Sequence, residues 1–435
     1  MATFDKKAPG VYVEEISKLP PSVASVATAI PGFVGYTERG TKNTAIRVES
    51  LIDFEEKFGY ACKIAISEED KINGLEYKLH ESMRLFYANG GGICYVVSVG
   101  NYTDAISNTA LETGISMLEP IDEVTMIVVP DAVSLEIKDL ASVQNAALAQ
   151  CLELKDRVAI LDVKDTGNCN TDATNFRNSI GTKGASYGAA YYPYIKSVYD
   201  REINVYDIYK GLELSNNELE NAQYYAELSE PTEESTLFAK QLMSKPEYAK
   251  LVAKIQEQAN LLPPSGAIAG IYCANDNQRG VWHAPANMSV SGISDINVRI
   301  SDKQQGELNE NTSGKCINAI RAFQGKGILV WGARTLDGLS SEWKYISVRR
   351  FFNYVEESIQ ESTAWAVFQP NDANTWVKVR CQIENFLSNL WRDGALAGST
   401  PQEAFYVRVG INQTMTAQDI LNGYMIVEIG MAAVR

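Results

Sequence analysis

Between residues 125 and 195 the sequence alternates at short intervals between apolar runs and helix-period stretches. Thr125 to Val129 and Arg157 to Val163 read as buried strands, and Ser186 to Ile195 as extended chain. About Asp139 to Lys155 and Asp172 to Ile180 read as helices. Parallel strands need a crossover of a dozen or more residues, usually a helix, whereas antiparallel ones need only a hairpin. The alternation therefore predicts an α/β layer with a largely parallel sheet.

The flanks extend the pattern. Thr28 to Gly40 is a short apolar strand punctuated by Pro and Gly, and Ser50 to Gly59 reads as a short capped helix. A helix from about Ile72 to Ala88 stops at Asn89-Gly90-Gly91-Gly92 and gives way to the apolar strand Ile93 to Val99. A phosphate cradle runs strand, glycines, helix; here the glycines follow a helix, so they predict its C-terminal cap. Asp131, Asp162 and Asp165 fall at strand C-terminal ends, where open α/β sheets place ligands. They define one reading, an acidic cytoplasmic α/β enzyme with its site at the strand ends.

Other enzyme classes have little material. His80 and His283 are the two histidines, so Ser-His-Asp, Cys-His or histidine-rich metal chemistry would have to use one of them. Seven scattered cysteines, with no C-x-x-C pair, suit small buried hydrophobes better than a disulfide framework or a zinc site. No metal and no cofactor is expected. No stretch approaches 18 uninterrupted apolar residues, and MATFDKKAPG lacks a signal peptide's apolar core, so synthesis and first folding in a cytoplasm are expected.

Charge divides the chain. Of 39 Lys+Arg and 54 Asp+Glu, 15 and 16 lie at or after Gly266, leaving 24 and 38 before it. An acidic portion is a poor nucleic-acid or anionic-membrane binder and a good solubiliser, while a near-neutral portion can approach copies of itself. Leu262-Pro263-Pro264-Ser265-Gly266 breaks the helical pattern at the same point; the preceding helix is opened by Ser244-Lys245-Pro246-Glu247, which has capping-box spacing. Three parts are expected: a tether, 1–25; an outer, acidic α/β domain, 26–265; and a packed assembly domain, 266–435. Within the tether, Val11 to Ile16 has strand composition but is isolated by Ala8-Pro9-Gly10 and Leu19-Pro20-Pro21. A lone strand needs a sheet edge, in its own chain or in a neighbour.

The run Trp343 to Ile359 reads as a short strand turning into a helix capped by Ser347. Val348, Phe351, Phe352, Val355 and Ile359 form one apolar stripe. Arg349 and Arg350 sit in the first turn and Glu356, Glu357 and Glu361 further on, the unfavourable order for the helix dipole. Either solvent screens an effect of a few tenths of a kcal/mol and nothing follows, or the arginines await an acidic partner outside the chain.

Several of these segments carry a resemblance. Arg279 to Asn287, Gly327 to Leu336, Trp343 to Ile359, Phe368-Gln369-Pro370-Asn371-Asp372, Phe386 to Trp391, Gly394-Ala395-Leu396 and Ala404 to Val407 resemble the sheath proteins of contractile phage tails and related injection systems. Ala8 to Glu15, Ile30 to Gly35 and Ala88 to Gly92 match as well. The resemblance implies a mixed α/β, multidomain sheath subunit without enzymatic activity: a strand arm, an outer α/β domain and an inner C-terminal assembly domain. Such subunits stack helically around an inner tube, exchange terminal strands, and contract to drive the tube through a membrane.

The implied partners are further copies of the chain, the inner tube protein, and baseplate and terminator (cap) proteins. No nucleic acid, small-molecule substrate or direct membrane insertion is implied. Val11, Tyr12, Val13, Glu14 and Glu15, with Ile426, Val427, Glu428 and Ile429, are the expected strand-exchange residues. Pro9, Gly10, Pro20 and Pro21 are the expected hinges, and Arg349 and Arg350 the expected tube contact. The chain closes with Met425 to Arg435, where sheaths of this kind usually continue through another apolar strand, so sheet is expected only as far as Glu428 and Ile429. A phage tail, a bacteriocin and an extracellular injection particle all fit; a type VI sheath, split between two proteins, fits less well.

Overall fold

The computed structural model describes residues 22–67, 71–228 and 230–435. The expected arm strand and hinges, Val11, Tyr12, Val13, Glu14, Glu15, Pro9, Gly10, Pro20 and Pro21, lie outside them. The described residues divide into two compact units, Val26–Glu356 with Arg435, and 22–25 with Glu357–Val434.

The larger unit is built on a nine-stranded sheet. Its strands are β1 (Pro31–Tyr36), β2 (Ala45–Val48), β3 (Cys94–Gly100), β4 (Met126–Val128), β5 (Val158–Asp162), β6 (Gly188–Tyr192), β7 (Met288–Ser289), β8 (Ile317–Phe323) and β9 (Gly327–Val330). Their order is β7-β9-β8-β6-β5-β4-β1-β3-β2. The six strands from β8 to β3 are parallel, and β2, β9 and β7 add antiparallel edges. Side-chain alternation separates the two faces. Val34, Val97, Ile127, Ala159, Leu161 and Ala190 belong to one core, while Phe33, Val96, Val128, Val158, Ile160 and Ala189 belong to the other. Both faces are covered, which is why these strands read as continuous apolar runs.

Helix α1 (Leu79–Ala88) and helix α2 (Ile137–Leu154) cover opposite faces. Helix α3 (Ser265–Arg279) packs against α1 so closely that a Cβ on Gly266 would meet the Ser82 carbonyl oxygen at 2.5 Å, and one on Gly270 the Phe86 oxygen at 2.4 Å. No helix was expected there, because α3 is buried nearly all round through its first nine residues and shows no amphipathic stripe.

The boundary expected at 265/266 is not where the chain divides. Residues beyond it supply α3, β7, β8 and β9, and β8 hydrogen-bonds directly to β6, so the sheet runs through. The division falls inside helix α4 (Ile346–Ser362), after Glu356. Between residues 204 and 262 a Glu-rich insertion of helices Asn216–Ala226, Glu233–Met243 and Pro246–Ala259 supplies part of the acidity, with 10 Asp+Glu against 5 Lys+Arg, and packs in two small cores, one around Leu242 and one in which Ile208 and Ile255 join Ile64 and Ile66. Its last helix starts at Pro246 as expected, but with Lys245 at the cap and no side-chain cap bond; Ser244 instead closes the previous helix. The Ile72–Ala88 expectation shortens similarly. Ile72–Asn73 pairs with Ala65–Ile66, and the helix begins only at Leu79.

The smaller unit contains the end of α4, helix α5 (Ala373–Arg392), and an antiparallel pair, β10 (Phe405–Arg408) and β11 (Glu428–Met431). Val379, Ile383, Phe386, Leu387 and Leu390 recur at helical spacing and are the buried face of α5. Asp372 caps α5 by accepting the Thr375 N–H at 3.0 Å.

Candidate assembly surfaces

Arg349 and Arg350 do not face an outside partner. Helix α4 begins at Ile346, placing Ser347 inside its first turn instead of at the cap. Arg350 is 4% exposed; its two terminal nitrogens donate to Asp276 at 3.0 and 2.5 Å, and one also donates to the Thr28 carbonyl at 2.9 Å. Arg349 donates to Asn353 at 2.8 Å and to Glu356 at 3.3 Å, and lies 4.0 Å from the centroid of the Trp343 ring. The carboxylates that the charge order demanded are present, but inside the subunit. Asp276 on α3, 74 residues away in sequence, is the partner that sequence reasoning missed. Both guanidinium groups are engaged internally, which removes these two arginines as the tube contact.

The strand-end carboxylates are engaged too. Asp131 is fully buried and accepts the N–H of Tyr36 at 2.6 Å, at the end of β1, and of Lys78 at 2.5 Å, at the start of α1. It lies just past the C-terminal end of β4 and holds the end of the neighbouring β1, on the side of the sheet where open α/β folds place ligands. Asp162 accepts the Ser265 N–H at 2.9 Å and so holds the N-terminal end of α3. Asp165 accepts from Tyr194 and Gly167. Burial pushes Asp131 and Asp162 up to about 7, against the lowering effect of the amides that bind them. Nearby, Arg201, just before the insertion, pairs with buried Glu81 at 2.5 Å and donates to the carbonyls of Gly74 and Tyr77, and burial lowers Lys78 to about 8. Each group ties an element to an element. Among the described residues no cluster of His, Cys, Asp and Glu could hold a metal ion.

The strand residues expected at the C-terminal end divide. Glu428 and Ile429 open β11, opposite Arg408 and Val407 of β10 in the same chain, and Tyr406 faces Gly430. Ile426 and Val427 precede the strand, and the Ile426 carbonyl accepts the Thr414 hydroxyl at 2.7 Å. After β11 the chain pairs again, with the Ala397 N–H donating to Ala432 and the Val434 N–H to Ala395. Among the described residues β10 and β11 form a sheet of two strands, each with one unpaired edge. Such a ribbon is marginal alone and offers its edges for pairing. In the same unit, the Ala24 N–H donates to the Ser362 hydroxyl at 3.0 Å.

The phage tail sheath protein central domain matches residues 104–336, and the phage tail sheath C-terminal domain residues 340–435. A tail sheath protein of Vibrio phage KVP40 is 26% identical over 137 residues, 32% of this chain and 20% of that protein, so the match spans about a fifth of this relative's length. Among solved structures, a sheath complex of the extracellular contractile injection system PVC in its contracted state is 30% identical, with a TM-score of 0.66 over 100% of this chain and 96% of that one. The helical sheath of the anti-feeding prophage, also contracted, is 29% identical with a TM-score of 0.66 over 98% of this chain and 96% of that one.

Proposed function

Because this chain belongs to the phage tail sheath family, we propose that it is the structural subunit of a contractile sheath. It polymerises helically around an inner tube and contracts to drive the tube through a target membrane. The observation that carries this reading is the likeness along the whole chain, at 30% identity, to a subunit of a contracted sheath. The partners are copies of the chain, the tube protein, and baseplate and terminator proteins. Assembly takes place in a bacterial cytoplasm, and the product is part of a phage tail or a released contractile particle.

The role is mechanical, not catalytic. Asp131, Asp162 and Asp165, the groups on which an enzyme reading rests, hold backbone amides. Contraction uses no nucleotide; it proceeds from a kinetically trapped extended packing to a lower-energy packing of the same subunits. The open edges of β10 and β11 receive strands from neighbouring copies by β-augmentation, Val11 to Glu15 being the donor and Ile426 to Ile429 the opposite end of the exchange. Pro9, Gly10, Pro20 and Pro21 let the tether swing while it stays paired.

Negative-stain electron microscopy of the purified chain, alone and with its cognate tube protein, tests the reading. Hollow striated cylinders are expected, wider and shorter without the tube. Small discrete oligomers under every condition would sink it.

A further inference from the structure

Thr28, Ala29 and Ile30 are the last residues before β1, and each is held by a different part of the larger unit. One terminal nitrogen of Arg350 divides its two hydrogens between Asp276, at 2.5 Å, and the Thr28 carbonyl, at 2.9 Å. The buried Cys273 thiol donates to the Ala29 carbonyl at 3.3 Å. The Ile30 N–H donates to the Thr125 hydroxyl and its carbonyl accepts the Thr125 N–H, both at 2.9 Å. The three holders stand 322, 244 and 95 residues away in sequence, so none of these is a local turn bond. Further out, Ala24 is held within the smaller unit by Ser362.

An extended segment outside a sheet ordinarily leaves such carbonyls to water. Here a buried guanidinium takes one of them, and a charged donor makes the stronger bond. Pairing with Asp276 uses one hydrogen on each terminal nitrogen of Arg350; the remaining one on the second nitrogen goes to Thr28. A lysine carries a compact ammonium that cannot reproduce this fork. Beyond the held segment, β1 is paired on both sides, with β3 and β4, so a pull along it shears two ladders together.

We propose that Arg350 is a positioning residue for contraction. It fixes the point at which the N-terminal tether joins the larger unit, and it takes load placed on the tether before β1 does. The mechanical purpose rests on the sheath reading above; the anchor itself does not. Swinging of the tether is confined to residues before the held segment, where Pro9, Gly10, Pro20 and Pro21 stand in sequence.

The test treats the full chain and its Arg350→Lys variant with elastase, well below the melting temperature. Elastase cuts after small residues, which Val23 to Ala29 supplies. Cutting needs the segment to leave its contacts, so its rate follows the opened population. The variant is expected to lose its N-terminal residues about tenfold faster than wild type or more, with the chain from about residue 30 onward left whole. Equal rates overturn the proposal. Digestion of the whole variant chain at the rate of N-terminal loss also overturns it, since Arg350 would then support only the core. If Arg350→Lys does not fold, Arg350→Met with Asp276→Leu, which leaves no buried charge, takes its place under the same criteria. Load is tested on sheaths assembled with the tube protein and made to contract by urea. Variant sheaths are expected to break and shed subunits, and unbroken contraction overturns the load-bearing role. If the wild-type chain forms no sheath, the sheath reading fails, and the elastase result still decides whether Arg350 fixes the segment.

Discussion

Arg350 and Asp276 form a two-pronged ion pair in which both side chains are only 3% exposed, joining the first turn of α4 to the last turns of α3. Burial alone would lower the guanidinium pKa, but the Asp276 charge and hydrogen bonds outweigh it and the value is raised. Removing one partner strands the other charge in the core. Asp276→Leu and Arg350→Met are each expected to destabilise the chain by about 3–5 kcal/mol, and the two together by less than either alone. Urea denaturation of the four forms measures this; equal losses in single and double variants would contradict it.

Stability should fall as pH rises through the weakly acidic range. Asp131 and Asp162, raised to about 7, keep their protons in the folded chain where unfolded carboxyls, at about 4, have lost them. Between those values folding takes up protons, so this contribution is complete below about pH 4 and lost as pH passes 7. Asp162→Asn retains an acceptor for the Ser265 N–H and removes the buried charge. It should flatten the slope by up to about 4 kcal/mol between pH 4 and 8, at about 1.4 kcal/mol per pKa unit. Calorimetric melting against pH is the check.

The α1–α3 contact depends on two missing methyl groups. Gly266→Ala and Gly270→Ala each bring a Cβ against a backbone oxygen, which cannot rotate away. Each should cost about 1–3 kcal/mol despite better helix propensity. Gly306, in helix Asp302–Asn309, has open space around it, so Gly306→Ala should stabilise by about 0.5–1 kcal/mol. Opposite signs at the two kinds of site distinguish packing from propensity.

Thiol chemistry should follow burial. Cys94, Cys151, Cys169, Cys273 and Cys316 are buried and free, with burial pushing Cys94 and Cys273 up to about 12. Cys62 and Cys381 are half-buried. A thiol reagent is expected to label at most these two in native protein and all seven after unfolding; rapid native labelling of five or more would contradict the packing.

Much of the parallel sheet was legible because its strands lie in an apolar layer with helices between them. Val158 to Asp162 and Ile137 to Leu154 fall within a few residues of their expected positions for that reason. Helix α3 was not legible, since Gly266, Ala267, Ala269 and Gly270 are chosen to fit a neighbouring backbone and leave no period to read. The arginine pair shows the same limit in another form. The misplaced charge of Arg349 and Arg350 was visible, but the identity of the compensating acid was not.

The sequence by itself determined the local alternation of strand and helix, the glycine stop after α1, the uneven charge and the family. Those follow from periodicity, backbone propensity and residue composition, which act over a few residues or are summed over many. Only the tertiary structure decided that Asp131 and Asp162 hold amides instead of a ligand, that Arg350 meets Asp276, and that the sheet crosses residue 265. Each depends on groups far apart in the chain being brought within about 3 Å, and electrostatics and steric exclusion at that range follow the fold, not the order of residues.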